Sequence, residues 1–157
     1  MGVNRVADGQ AAVERIKQRF ADAVEDSGSY RGQHWVEVAG DRLVEVCEWL
    51  RDDPANAYDY LVDVTAVHLP DDPRPMQMVY HLYSHSHDDR LRVKTRADDE
   101  LVVPTLSDLW QSANWNERET YDMFGIRFDG HPDPRRILMP DDYTDFPLRK
   151  EFPLFRG

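Results

Sequence analysis

The spacing of apolar residues predicts two amphipathic helices in the first third of the chain. Within residues 8–26, apolar side chains recur at the spacing of one helical face, at Val13, Ile16, Phe20 and Val24. Asp8 is placed to cap this helix. After a turn in the stretch SGSYRG, residues 35–38 form a short strand, and Asp41 is placed to cap a second helix over residues 42–51.

Three further strands follow. Residues 60–69 are rich in β-branched and apolar side chains, with Val62, Val64 and Ala66 predicted on one face. After a turn at residues 71–75, two segments alternate apolar and polar side chains and should pair as a hairpin, residues 76–84 and 91–96.

A third helix is predicted between Asn114 and Gly125. Asn114 can cap its first turn and Glu117, three residues on, can return the bond, while Gly125 ends the helix. Helices on both sides of a run of strands predict an α+β fold, a mainly antiparallel sheet with helices packed on one face. We expect this domain to span residues 1–130.

Residues 131–157 are predicted to form an extended, Pro-rich C-terminal arm. Five of the ten prolines fall between residues 132 and 153, which forbids a long helix. Large apolar side chains continue to the terminus, and burying each would stabilise the arm by roughly 1.5 to 3 kcal/mol. Docking on partner subunits would bury them, and an arm folded back over this chain's own sheet is the alternative. The residues expected to dock are Phe146, Leu148, Arg149, Phe152 and Leu154.

Charge and composition limit the classes of partner. The 157 residues carry a net charge of -11, and the cationic residues are spread along the sequence, which disfavours nucleic acid or an anionic lipid surface as partner. No apolar run is long enough for a membrane span and the start lacks a signal-peptide pattern, so we expect a cytoplasmic domain. The single cysteine, Cys47, lies at a helical core position and cannot hold an iron–sulfur cluster alone. Neither the dinucleotide-binding nor the P-loop glycine pattern is present, so no nucleotide site is predicted.

The third helix carries the charged residues that first suggest chemistry. Arg118 and Asp122 are four residues apart, and Glu119 and Asp122 are three apart, so a carboxylate pair with one guanidinium beside it is predicted on this helix. Neighbouring carboxylates can split their pKa values for acid–base work, but a guanidinium favours the ionised forms and no nucleophile is evident. A charged docking surface and a purely structural helix are the other interpretations.

Histidines supply two further candidates. His131 lies in a Gly-His-Pro turn, where it could contact a partner or simply bond to nearby backbone. His81, His85 and His87 would face one side of an extended strand and are the only ligand-like cluster, although polar residues also collect at hairpin tips for turn chemistry. No metal site is predicted from the sequence, and a free-standing metal-binding module using these three histidines is kept as an alternative.

The same helix and turn carry a family resemblance. Seven positions in fixed register resemble the signature of the 30 kDa or C subunit of NADH:quinone oxidoreductase, which belongs to the peripheral arm of respiratory complex I: Glu117, Arg118, Glu119, Asp122, His131, Arg135 and Ile137. The resemblance extends from about Tyr58 to Leu154 and leaves the first fifty residues without a recognisable motif.

This resemblance implies a structural role inside a larger enzyme. The C subunit would bind no cofactor, while the complex uses NADH, FMN, iron–sulfur clusters and quinone and translocates ions. It would brace the subunits known as D and B, with the one known as I as a further neighbour, at the cytoplasmic side of the inner membrane without spanning it. The equivalent subunit of a membrane-bound nickel–iron hydrogenase or formate hydrogenlyase is the alternative within the same lineage.

Overall fold

The computed structural model describes residues 9–132, which form three helices and seven strands. The helices are α1 (Gln10–Arg19), α2 (Leu43–Asp52, after a 3-10 turn at Gly40–Arg42) and α3 (Ser112–Phe124). The strands are β1 (Val24–Tyr30), β2 (Gln33–Val38), β3 (Tyr60–His68), β4 (Met76–Ser84), β5 (Asp89–Arg96), β6 (Val102–Pro104) and β7 (Arg127–Asp129).

A five-stranded sheet in the order β1-β2-β5-β4-β3 forms the body of the domain. Three of its four pairings are antiparallel, and β2 pairs with β5 in parallel. Strands β6 and β7 form a separate parallel pair. The predicted α+β class and the hairpin of β4 with β5 are confirmed, whereas the arm of residues 131–157 lies outside the described residues from position 133 onward.

One apolar core lies between the sheet and the three helices. Alternation along β4 and β5 turns Met78, Tyr80, Leu82, Leu91 and Val93 inward, where all are at most 2% exposed. Side chains from every helix join the same cluster, including Ile16, Leu43, Cys47, Leu50 and Ala113. Cys47 is a packed core thiol, as predicted, and burial raises its pKa.

The first helix is shorter than the sequence predicted. Helix α1 ends at Arg19, and residues 24–30 are a strand that pairs with β2. Arg31 and Gly32 connect the two strands with positive φ values of 53° and 78°, the geometry of a tight two-residue hairpin turn. Sheet pairing therefore overrides the helical spacing that includes Val24. Asp8, the predicted cap, lies outside the described residues.

Two other predicted caps are wrong. Helix α2 begins after the 3-10 turn that contains Asp41, with no side-chain bond at its cap. Helix α3 begins at Ser112, so Asn114 lies within its first turn and Glu117 does not close a capping box. In both cases backbone turns that precede the helix supply its start, which a residue-by-residue capping rule does not anticipate.

The faces of β3 also differ from the prediction. A bulge between Leu61 and Asp63 shifts the register, so Leu61 and Val64 are buried while Val62 is 50% exposed. An inserted residue reverses the alternation beyond it, because side chains in a strand repeat every two residues. Val62 and Val64 therefore do not share a face.

The start of α1 is fixed to the end of the β4–β5 hairpin. The Gly9 backbone N–H donates to Asp89 Oδ1 at 2.8 Å, and the Tyr58 hydroxyl donates to Asp89 Oδ2. Gly9 has a φ of +85°, and a Cβ at this position would lie 2.5 Å from the Arg90 carbonyl oxygen. The close approach requires glycine for both conformation and space.

A pair of glycine substitutions separates these two requirements. Gly9→Ala should lower the free energy of unfolding by about 3 kcal/mol, because left-handed strain and a backbone clash add. Gly32→Ala, at a φ of +78° with nothing within 4 Å, is the matched control and should cost only about 1 kcal/mol. Urea unfolding followed by tryptophan fluorescence measures both. Equal losses would show that the contact with Arg90 does not restrict the site.

Candidate functional site

Helix α3 carries four of the seven signature residues, and one face of this helix is buried in the protein. Ala113, Glu117 and Thr120 recur at helical spacing and are at most 5% exposed, and Glu117 has no exposed surface. The loop after β6 covers this face, since Thr105 and Leu106 lie directly against the Glu117 carboxyl. A carboxyl group is thus held where an apolar side chain would be expected.

Neighbouring donors satisfy the Glu117 carboxyl. The Leu106 N–H donates to Oε2 at 2.8 Å, and the Thr105 hydroxyl donates to Oε1. Desolvation raises the pKa of Glu117 from its ordinary 4.5 to about 7, because the bonds from Leu106 and Thr105 offset burial only in part and the charge on Asp108 adds to the rise. Near neutral pH this group is close to half protonation.

His131, in the turn after β7, belongs to the same cluster. Its side chain is 2% exposed, its Nε2–H donates to the Asn114 carbonyl at 3.0 Å, and Nε2 lies 3.9 Å from Glu117 Oε1. Gly130, with a φ of +85°, turns the chain into this position after β7. His131 is thus a turn residue whose ring bonds to backbone of the same chain, which is one of the two interpretations that the sequence left open.

A cavity of about 580 Å³ borders the cluster. The residues that line it include acidic and basic side chains and the phenol of Tyr121. They belong to β6, α3, β7 and the turn after β7. The lining residues are Val102, Glu117, Arg118, Tyr121, Arg127, Phe128, Asp129, Gly130 and His131. Two of the four signature side chains from α3 thus contribute to it.

The remaining signature residues have different surroundings. Asp122 is fully buried, whereas Glu119 is exposed and lines a groove between α3 and β3 that also contains Asp63 and Met123. The predicted carboxylate pair of Glu119 and Asp122 therefore does not share one environment. Arg135 and Ile137 lie outside the described residues, as do the five docking residues predicted in the arm.

The three candidate metal-binding histidines are engaged separately. His85 Nδ1 lies 2.8 Å from Asp59 Oδ2, and His87 Nε2 lies 2.8 Å from the Pro54 carbonyl. His81 is half-buried in β4, where burial and then the charge on Arg92 lower its pKa. Within residues 9–132, no group of three or more His, Cys, Asp or Glu side chains is arranged to hold a metal ion.

Sequence reasoning missed the partners of Glu117. It assigned the carboxyl to the helix start, whereas the donors come from Leu106 and Thr105, eleven and twelve residues earlier. The sequence does contain a signal for the burial of Glu117, because Ala113, Glu117 and Thr120 recur at the spacing of one helical face that otherwise carries small side chains. The long-range contact to the loop after β6 has no such signal.

The chain matches a known protein family over most of its length. The family described as "Respiratory-chain NADH dehydrogenase, 30 Kd subunit" matches residues 36–156. The chain belongs to this family. The predicted resemblance to the C subunit of NADH:quinone oxidoreductase, respiratory complex I, is therefore confirmed.

Two relatives show how much of the sequence is shared within this family. The C subunit of NADH-quinone oxidoreductase from Citrifermentans bemidjiense is 49% identical over 153 residues, covering 95% of this chain and 92% of the relative. The C 2 subunit of the same enzyme from Rhizobium etli is 46% identical over 140 residues, covering 88% of this chain and 74% of the relative.

Two solved structures share the fold of this family member. The trypsin-resistant fragment (1-134) of Nqo5 matches with a TM-score of 0.64 and 32% identity, covering 77% of this chain and 98% of the fragment. A chain of the membrane-bound sulfane sulfur reductase, an archaeal respiratory membrane complex, matches with a TM-score of 0.75 and 25% identity, covering 93% of this chain and 86% of that chain. Among the described helices, none combines the length and apolar character needed to cross a membrane.

Substitution of Glu117 tests its raised pKa. A carboxyl whose pKa rises from 4.5 to about 7 on folding binds its proton more tightly in the folded state, so the free energy of unfolding should fall as pH increases between these values. The full difference is on the order of 3 kcal/mol. Glu117→Gln keeps the shape of the protonated side chain and should remove this part of the pH dependence.

Urea unfolding at a series of pH values from about 4 to about 8 provides the measurement. Glu119→Gln is the matched control, because it removes an exposed carboxyl from the same helix and should leave the slope unchanged. A Glu117→Gln profile parallel to that of the parent chain would contradict a buried carboxyl that protonates near neutral pH.

Proposed function

We propose that this chain is a non-catalytic structural and assembly subunit in the peripheral arm of proton-translocating NADH:quinone oxidoreductase. It would brace the D protein, which contains the quinone site, and the B protein, which holds the terminal iron–sulfur cluster, with the I protein as a further neighbour. The main support for a non-catalytic role is the burial of the Glu117 side chain. The side chain best suited to acid–base work has no exposed surface and bonds to the chain's own backbone.

The cofactors are assigned to other subunits. The chain has one cysteine, which is buried in the core, whereas an iron–sulfur cluster is usually held by four thiolates. NADH, FMN, the iron–sulfur clusters and quinone would bind elsewhere in the complex. This chain would sit peripherally at the cytoplasmic side of the inner membrane, held there by its neighbours.

The C-terminal arm would be the main strap to those neighbours. His131 and Gly130 set its point of departure beside α3, and the apolar residues beyond it need a surface to cover. A partner surface would bury Phe146, Leu148, Phe152 and Leu154, with Arg149 pairing a carboxylate at the edge.

Truncation after Pro140 tests this strap. The shortened chain should no longer co-purify stoichiometrically with the quinone-site D protein, because all five docking residues are removed. A chain ending at Phe155 is the control and should retain the D protein. Size-exclusion chromatography with quantitative mass spectrometry gives the stoichiometry, and stoichiometric co-elution of the D protein with the short chain would refute the strap.

Limited proteolysis tests the boundary near residue 130. Trypsin should cut the isolated chain after Arg135 or Arg136 and leave a resistant domain, as the trypsin-resistant fragment of the related Nqo5 suggests. In the assembled complex the same bonds should be protected. Equal cleavage rates in the two samples, measured by intact mass, would argue against an arm that docks.

The alternative within the lineage is the equivalent subunit of a membrane-bound nickel–iron hydrogenase or formate hydrogenlyase. The likeness to a chain of the archaeal sulfane sulfur reductase, at 25% identity, supports a respiratory membrane complex in general. The 46% and 49% identities to NADH-quinone oxidoreductase subunits favour the quinone enzyme over a hydrogenase or formate hydrogenlyase. Flavin and nickel contents of the purified complex distinguish the two.

A further inference from the structure

The outer face of the sheet carries a row of cations along its middle strand. In β5 the side chains alternate, with Leu91, Val93 and Thr95 buried in the core and four cations on the opposite face. These are Arg90, Arg92, Lys94 and Arg96, which we call the cationic row. The alternation places four positive charges on one face of the sheet, with about 7 Å between successive ones, although the net charge of the chain is -11.

Only one end of the cationic row is neutralised within the part of the domain that the structure describes. Arg96 Nε lies 2.8 Å from Glu37 and its Nη1 lies 2.8 Å from Asp72. Among residues 9–132, no carboxylate forms an ion pair with Arg90, Arg92 or Lys94.

Two of the three cations without ion pairs, Arg92 and Lys94, are also partly desolvated, whereas Arg90 is exposed. Arg92 bonds to the Gln33 side chain through Nη2, but its buried Nε has no hydrogen-bond partner among the described residues. Lys94 Nζ lies 4.2 Å from the centre of the Trp35 ring, and burial and then the charge on Arg92 lower its pKa. The charges on Glu37 and Asp26 act on Lys94 in the opposite sense but offset burial and the neighbouring arginines only in part, which leaves the free domain with an electrostatic cost.

A groove of about 510 Å³ opens beside Arg90 and Arg92. Its other walls bring His34, His81 and His85 together with Tyr60 and Tyr83. The strand register explains this arrangement, since His81 faces Arg92 and Tyr83 faces Arg90 across the β4–β5 ladder.

One carboxylate, that of Asp63, lines this groove, and those of Asp59 and Asp88 bond to residues that line it. Asp63 accepts the Val64 N–H at 2.9 Å, and Asp59 accepts both the backbone and the ring N–H of His85. Asp88 accepts the Tyr83 hydroxyl. Within the described residues, none of these three carboxylates pairs with Arg90, Arg92 or Lys94.

The rim of the groove is apolar and open. Tyr60 and Val62 are 46% and 50% exposed, although both are large apolar residues at the start of a strand. An apolar rim around unpaired cations fits a peptide that carries both carboxylates and apolar side chains. The chain's own residues 133–157 are a poor match in charge, because they contain five acidic and five basic residues.

We propose that the cationic row and its groove dock an acidic segment of a neighbouring subunit. Carboxylates of that segment would pair with Arg90, Arg92 and Lys94, and its apolar side chains would cover Tyr60 and Val62. The proposal rests on the proposed function only in taking the partner from the same respiratory complex. It assigns a second contact surface, on the side of the sheet opposite to α3 and the start of the arm.

A zero-length carbodiimide cross-link tests this surface in the intact purified complex. The reagent joins a lysine amine to a carboxylate in direct contact, and the chain has only three lysines, Lys17, Lys94 and Lys150. We expect a link between Lys94 and an aspartate or glutamate of another subunit. The matched variant Lys94→Arg keeps the charge and should abolish this link while the complex remains assembled.

Removal of one cation should weaken the same contact. Arg92→Gln should reduce the yield of the Lys94 link several-fold and make it more sensitive to salt, since screening acts most on incompletely paired surface charges. Arg19→Gln, which removes an exposed charge from α1 beneath the sheet, should change neither.

Three outcomes would overturn the proposal. One is an assembled complex with no Lys94 link while Lys17 or Lys150 still cross-links. The second is a Lys94 link only to this chain's own Asp26 or Glu37. The third is flotation of the chain with phosphatidylglycerol vesicles that Arg92→Gln abolishes, because the occupant would then be lipid. Absence of the quinone-site D protein from the purified assembly would instead refute the proposed function.

Discussion

The contact between the Glu117 carboxyl and the backbone after β6 fixes the part of the molecule that defines its family. Helix α3 packs on β3, and its buried Glu117 accepts hydrogen bonds from Thr105 and Leu106 in the loop after β6. An unsatisfied buried carboxyl would be costly, so the loop has to stay in place to donate its hydrogen bonds. The loop continues from β6, β6 pairs with β7, and β7 leads to His131. One buried group thus connects the helix with the turn after β7.

This connection gives the signature a structural meaning. A charged helix suggests an exposed surface, yet Glu117 and Asp122 are fully buried, and only Arg118 and Glu119 are reachable. A buried acid is poor at increasing stability but specific in its geometry, because only one arrangement of donors satisfies it. The hydrogen bonds from Leu106 and Thr105 favour the ionised carboxylate, so at Glu117 they oppose the effect of burial on the pKa.

Sequence patterns predicted the elements whose contacts are local. The β4–β5 hairpin, the end of α3 at Gly125 and the packing of Cys47 follow from alternation, a left-handed glycine and helical spacing, each within a few residues. The failures involve residues far apart in the chain. Strand β1 exists because β2 pairs with it, the bulge at Val62 depends on β4, and the donors to Glu117 come from a loop before the helix. No local rule includes these partners.

The two sides of the sheet differ in how their charged groups are paired. On the inner side a buried carboxylate is matched by donors from the chain itself, as the Asp89 contacts with Gly9 and Tyr58 illustrate. On the outer side, three cations of the described domain have no ion pair, although the chain has eleven more acidic than basic residues, thirty against nineteen. Three cations without an internal ion pair in so acidic a domain are better explained by an external counter-charge than by folding, because folding alone would be favoured by pairing them.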